Sequence, residues 1–154
     1  MQIAQAHSNA YLLAVRELFL EYARSLPIDL CFQNFDCELA GLPAPYAPPD
    51  GTILLAVEDA EPTGCVAVRK LADQICEMKR LYVRPAFRRR GIGRALAGAA
   101  IDAARGIGYR DMRLDTLSSM KEAIALYESL GFQRIAPYCD NPSGCAVFME
   151  LDLR

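Results

Sequence analysis

Tryptophan is missing from this chain, and histidine occurs once, as His7. That scarcity argues against two kinds of chemistry. With a single imidazole in the chain, a zinc site and a Cys–His catalytic pair are both poorly supported. The six cysteines, at 31, 37, 65, 76, 139 and 145, form no Cys-x-x-Cys pair. No metal is therefore expected, and the thiols read as reduced and mostly buried, as in a cytoplasmic protein. Long apolar runs are lacking too: none approaches the ~20 residues that span a bilayer. The first residues, Met-Gln-Ile-Ala-Gln-Ala, have neither the basic nor the apolar region of a secretory signal. Nor is there an excess of positive charge. Lys and Arg number 17 against 19 Asp and Glu, which argues against a nucleic-acid partner. Neither repeats nor low-complexity segments occur.

What is present is 154 residues, 53% of them hydrophobic, enough for a single domain over 1–154 with a substantial core. Residues 2–6 predict a short strand. Ser8 or Asn9 is placed to cap a helix whose apolar positions, Leu12, Val15, Leu18, Phe19 and Tyr22, follow a 3.6-residue period. A weaker helix is expected over 31–40, then a proline-rich loop over 42–51. Thr52–Glu58 and Gly64–Lys70 read as a hairpin turned by 59–63, and Ile75–Val83 as a third strand. A helix over 91–105, a strand over 112–116 and a helix over 119–130 follow. Ser119-x-x-Glu122 reads as a capping box for that last helix, and Gly131 as its stop. Strands over 132–135 and 146–151 close the chain. This order predicts an α/β protein with a mixed sheet and helices on its faces.

One stretch concentrates charge. In Arg84-Pro-Ala-Phe-Arg-Arg-Arg-Gly-Ile-Gly-Arg94, four arginines fall between 84 and 90 of an otherwise acidic chain. Pro85 ends the preceding strand. Gly91 and Gly93 allow positive φ or close approach of a ligand to the backbone. The helix that follows presents unpaired N–H groups and a partial positive charge. Together these describe a phosphate or pyrophosphate site. The competing reading is a solvated arginine run on a surface turn. A Gly-x-x-x-x-Gly-Lys-Ser/Thr loop is absent, and Leu96 stands where a dinucleotide fingerprint needs its third glycine.

Arg88-Arg-Arg-Gly91-Ile-Gly93 resembles the Arg/Gln-x-x-Gly-x-Gly/Ala motif of the GNAT superfamily of N-acetyltransferases. Glu77-Met-Lys-Arg-Leu-Tyr-Val83 with Arg84-Pro85 is similar to that family's fourth strand. Residues 123–132, Ala-Ile-Ala-Leu-Tyr-Glu-Ser-Leu-Gly-Phe, are similar to the helix, turn and strand that follow its motif. The resemblance implies a central, mostly antiparallel sheet of six or seven strands, splayed between strands 4 and 5 and flanked by about four helices. It implies acetyl-coenzyme A as donor and an amine, on a small molecule or a peptide, as acceptor. Carried onto this chain, Leu81, Tyr82 and Val83 pair with the pantetheine arm like an added strand, and Arg88, Arg89, Arg90, Gly91, Ile92, Gly93 and Arg94 hold the pyrophosphate.

The same resemblance gives catalytic candidates. Glu77 is the base that takes the acceptor's proton, and Tyr127 the acid facing the departing thiolate. Alternation along a strand would put Glu77, Lys79, Leu81 and Val83 on one face. The competing roles are an ion pair for Glu77 and core packing for Tyr127. Many members carry asparagine where this chain has Met120, so Ser118, Ser119 or a water takes over that contact, or it is missing. The acceptor is expected near residues 20–50 and the loop 138–144, with Asp36, Glu38, Tyr138 and Asp140 as candidate contacts. A homodimer is left open. So are a non-catalytic acyl-coenzyme A sensor and a general nucleotide-phosphate binder.

Overall fold

The computed structural model describes residues 1–27, 35–139 and 144–154. The first strand, β1 (Gln2–Gln5), pairs with β2 (Thr52–Glu58), and α1 (Asn9–Ser25) and α2 (Phe35–Gly41) lie between them in sequence. Then come β3 (Glu61–Ala72), β4 (Ile75–Val83), α3 (Ile92–Ile107), β5 (Asp111–Leu117), α4 (Lys121–Ser129), β6 (Gln133–Ile135) and β7 (Ala146–Asp152). The seven strands form one sheet in the order β1-β2-β3-β4-β5-β7-β6. Every described pairing is antiparallel except β4 with β5. Residues 31–34 of the expected second helix lie outside the described residues; the rest forms α2.

Two apolar clusters sandwich the sheet. On one face Ile92, Leu96, Ala97, Ala100, Ile101 and Ala104 of α3 pack on Val66, Val68, Met78 and Met112. On the other, Val15, Leu18 and Phe19 of α1 and Leu39 of α2 pack on Ile53, Leu55 and Ala67 with Tyr46. Burial of one such aliphatic side chain contributes roughly 1.5–3 kcal/mol, so the two clusters fix which face of every strand points where. The small residues at 97, 100 and 104 bring α3 close to the sheet. Ala95, Gly98 and Ala99 are only partly buried and lie off that fully buried stripe.

Three local expectations are corrected. The first hairpin turns over two residues, Asp59 (φ 50°) and Ala60 (φ 64°), and β3 already pairs at Glu61 and Pro62. Pro62 is tolerated because it sits at the bulge opposite Ala56 and Val57. The capping box does not form: α4 starts after Met120, whose side chain makes no capping hydrogen bond, because 117–120 close a turn first, with the Met120 N–H donating to the Leu117 carbonyl. The thiols are not mostly buried. Cys65 and Cys76 are, while Cys37, Cys139 and Cys145 are exposed.

The sheet opens at its centre. β4 and β5 pair only at Ile75–Asp111, Cys76–Met112 and Glu77–Arg113. Beyond Glu77 the two strands part. At the same place β4 is bulged. Ala67 pairs with Lys79 and Cys65 with Tyr82, so Arg80 and Leu81 face a single residue of β3. Arg80 takes φ 60° there, and strand alternation is broken.

Candidate active site

The bulge decides which side chains face which way, and it overturns one expectation. Glu77 and Lys79 line a cavity on the α2 side of the sheet. Leu81 and Val83 instead pack against the α3 cluster, while Tyr82 joins the α1 cluster. The predicted common face of Glu77, Lys79, Leu81 and Val83 is therefore split by the extra residue. The signal was unreadable, since a non-glycine residue at positive φ is uncommon.

Arg80 is held in that conformation from the far side. Its guanidinium donates Nε–H to Glu38 Oε2 (3.0 Å) and Nη2–H to Glu38 Oε1 (2.8 Å), with only 2% of the side chain exposed. The rings of Phe35 and Tyr22 lie 5.4 Å and 5.9 Å away. A buried cation of this kind is tolerated only when paired, so Arg80 ties α2 to the middle of β4. Gly64 makes room for the bulge: a Cβ there would stand 2.7 Å from the Tyr82 carbonyl oxygen.

The first cavity, about 680 Å³, runs along the end of β4. Leu81, Tyr82 and Val83 form one wall, and Arg88, Arg89, Gly91, Ile92 and Gly93 the end. Ser119, Met120 and Leu126 close the opposite side. Ser118 is not among its walls; its N–H donates to the Cys145 carbonyl. Arg89 (φ 66°) and Gly91 (φ 79°) both take the left-handed conformation. Gly91 is the residue that caps α3, so the backbone turns sharply into the helix whose first N–H groups lack helical partners. No atom lies within 4 Å of where a Gly91 Cβ would be. A Gly93 Cβ would rest 3.8 Å from Val83 and Leu126 and so narrow the cavity floor. A glycine-turned helix N-terminus with arginines at the mouth and a strand along the wall fits an extended donor that ends in a pyrophosphate.

The arginines divide by task. Arg84 donates to both oxygens of Glu21 and to the Pro62 carbonyl, pinning α1 to the end of β4. Arg88 donates to the Val83 carbonyl (2.9 Å) and lies over the Tyr82 ring. Arg90 and Arg94 are not among the cavity walls. Arg90 pairs with Glu58, and Arg94 donates to the Ser129 hydroxyl on α4.

The second cavity, about 490 Å³, lies on the α2 side. Glu77 is at its wall with 2% of its side chain exposed. Arg69 donates to Oε1 (2.9 Å) and the Tyr138 hydroxyl to Oε2 (2.6 Å). Burial first, and the Glu77 carboxylate next, push the Tyr138 hydroxyl far up, so it stays a donor. Lys79 Nζ stands 3.9 Å from Glu77 Oε1, and burial lowers its pKa. Asp115, on β5 beyond the point of parting, lines the same cavity. Sequence reasoning passed over Asp115; a period-2 reading of β5 outward from Leu114 would have placed it beside Glu77. Glu38 and Tyr138 are cavity walls as expected. Asp36 is exposed and is not, and Asp140 lies outside the described residues.

Tyr127 is buried on α4, its ring edge-on to Phe132 at 5.7 Å. Burial raises its pKa, with smaller contributions from Tyr22 and Asp115. Tyr127 itself is not among the walls of either cavity.

Comparisons with known proteins agree with this geometry. An uncharacterized N-acetyltransferase of Schizosaccharomyces pombe is 41% identical over 138 residues, 88% of this chain and 85% of its own length. An acetyltransferase of the GNAT family from Staphylococcus aureus superposes with a TM-score of 0.81 over 99% of both chains, at 19% identity. The acetyltransferase yncA of Salmonella typhimurium, solved with its cofactor acetyl-CoA, superposes with a TM-score of 0.74 over 100% of this chain and 94% of its own, at 24% identity. The model of the acetyltransferase (GNAT) family matches residues 12–132, and with the splayed sheet and the glycine-turned helix this establishes that the chain belongs to the GNAT family of acetyltransferases.

Proposed function

We propose that this acetyltransferase moves the acetyl group of acetyl-coenzyme A directly onto an amine, the donor in the first cavity and the acceptor in the second. The observation that carries the reading is the parting of β4 from β5 after Glu77–Arg113, with two cavities along the same strand, one walled by Glu77 and Lys79 and the other by Leu81 to Val83. Acetyl-coenzyme A supplies the activated acetyl group. Leu81 to Val83 offer strand-edge backbone groups to its pantetheine arm. The turn from Arg88 to Gly93 offers N–H groups and the guanidinium groups of Arg88 and Arg89 to its pyrophosphate.

Glu77 receives the proton lost by the attacking amine, directly or through water. Its oxygens already accept from Arg69 and Tyr138, so both are oriented, and a carboxylate keeps further lone-pair positions for a third donor. Tyr127 stays protonated because burial raises its pKa, and it donates toward the leaving sulfur. A thiol's ordinary pKa of about 8.5 makes the thiolate a tolerable leaving group, so this donation assists rather than decides.

The test is calorimetry with acetyl-coenzyme A. Gly91→Val forces a branched residue into φ 79° and so reshapes the turn that carries the N–H groups, so binding should fall below detection while the protein stays folded. Normal binding by a folded Gly91→Val variant would remove the donor site from this loop.

A further inference from the structure

A donor whose pyrophosphate lies at the turn from Arg88 to Gly93 runs along β4 from Val83 to Leu81, so its acyl end comes to the bulge at Arg80. Tyr22 of α1 is the wall residue that reaches this bulge, with its ring 5.9 Å from the Arg80 guanidinium carbon. The ring is fixed from several directions. It lies edge-on to Tyr82 at 6.2 Å and packs against the α1 cluster. Arg80 beneath it is clamped by two hydrogen bonds to Glu38. The preceding residue, Glu21, is bonded through both oxygens to Arg84, just past the end of β4. A packed aromatic ring does not yield to extra methylenes without displacing its neighbours. The other way out for an acyl chain is onward along β4 into the second cavity. There it meets the charged side chains of Arg69, Glu77, Lys79 and Asp115, and methylenes that displace water from charged groups replace none of its hydrogen bonds.

We propose that Tyr22 is a specificity-determining residue that limits the donor to short acyl groups, favouring acetyl- over butyryl- and longer acyl-coenzyme A. The inference rests on the reading of the first cavity as the donor site and adds the range of donors that the site takes.

The experiment titrates the protein with acetyl-, propionyl-, butyryl- and hexanoyl-coenzyme A in a calorimeter, which needs no acceptor. In the wild type the dissociation constant should rise by ~10–100-fold from acetyl to butyryl, as overfilling a packed pocket does, and hexanoyl should bind no better than butyryl. Tyr22→Ala opens space for apolar methylenes and should reverse the order, with butyryl- and hexanoyl-coenzyme A binding at least as tightly as acetyl-coenzyme A. Tyr22→Leu keeps an apolar side chain on the α1 cluster but shortens the stop. It should shift the series in the same direction, which covers the case of an Ala variant that fails to fold. Tyr22→Phe keeps the ring and should keep the wild-type ranking. Equal affinity of the wild type for acetyl- and hexanoyl-coenzyme A would overturn the inference. So would a wild-type ranking in folded Ala and Leu variants, or a levelled series in the Phe variant. Failure of the wild type to bind acetyl-coenzyme A at all would instead strike the reading of the first cavity as the donor site.

Discussion

Glu77 and Tyr127 are built from opposite materials. One is a carboxylate fixed by an arginine and a phenol; the other is a phenol in an apolar pocket beside Phe132. Their substitutions should separate accordingly. Glu77→Gln removes the proposed proton acceptor and should lower kcat by ~10²–10⁴-fold with acetyl-coenzyme A affinity unchanged; wild-type turnover in single-turnover kinetics would return Glu77 to a purely structural ion pair. Tyr127→Phe keeps the ring and deletes the hydroxyl. It should leave the melting temperature unaltered and reduce kcat toward the lower end of the same range, and a shift in melting with turnover intact would make it a core residue only. Both residues were singled out through the resemblance to the family. Their partners were not. Arg69 faces Glu77 only through the β3–β4 register, and Tyr138 reaches it across 61 positions of sequence, so neither contact is encoded in local spacing.

At the scale of elements, β4 matters most, and its shape depends on a residue of its neighbour. Gly64 pairs with Val83, and a Cβ there would stand 2.7 Å from the Tyr82 carbonyl oxygen and 3.1 Å from Leu96. Gly64→Ala should therefore destabilise the protein by about 1–3 kcal/mol, read as a fall of several degrees in melting temperature. Gly98→Ala, in the middle of α3 with nothing within 4 Å, should do the reverse, adding about 0.5–1 kcal/mol. A shift of the same sign in both variants would contradict the packing described for β3 and β4. Most elements were readable from periodicity and from Pro and Gly: β2 and β4 have the expected ends, and of the two candidate caps of α1, Ser8 and Asn9, it is Ser8 that caps it. Departures cluster where backbone conformation goes against residue type, at Asp59, Ala60, Arg80 and Arg89, all non-glycine residues with positive φ. Tertiary contacts impose those angles, and no local propensity announces them.

For the molecule as a whole, one cavity opens on either side of the bulge in β4, and the strand is shared between them. A mixed sheet was legible from element order, and the splay between its fourth and fifth strands only through the resemblance to a family. The Arg80–Glu38 pair joins the two sides. Glu38 belongs to the wall of the second cavity, yet its carboxylate holds Arg80 at the angle that turns Leu81 and Val83 toward the other side. Without it Arg80 is a buried charge with only the Tyr22 and Phe35 rings beside it, and its left-handed backbone loses the contact that offsets the strain. Glu38→Ala should accordingly lower the melting temperature by roughly 10 °C and weaken acetyl-coenzyme A binding in calorimetry below the transition. An unchanged dissociation constant would show β4 to be rigid without it. If the pair does transmit in this way, thermodynamic reciprocity requires the effect to run in both directions. Any acceptor that draws α2 more firmly onto Arg80 must raise the affinity for the donor by the factor with which the donor raises the affinity for that acceptor, so the two ligands would be mutual effectors through a single strand.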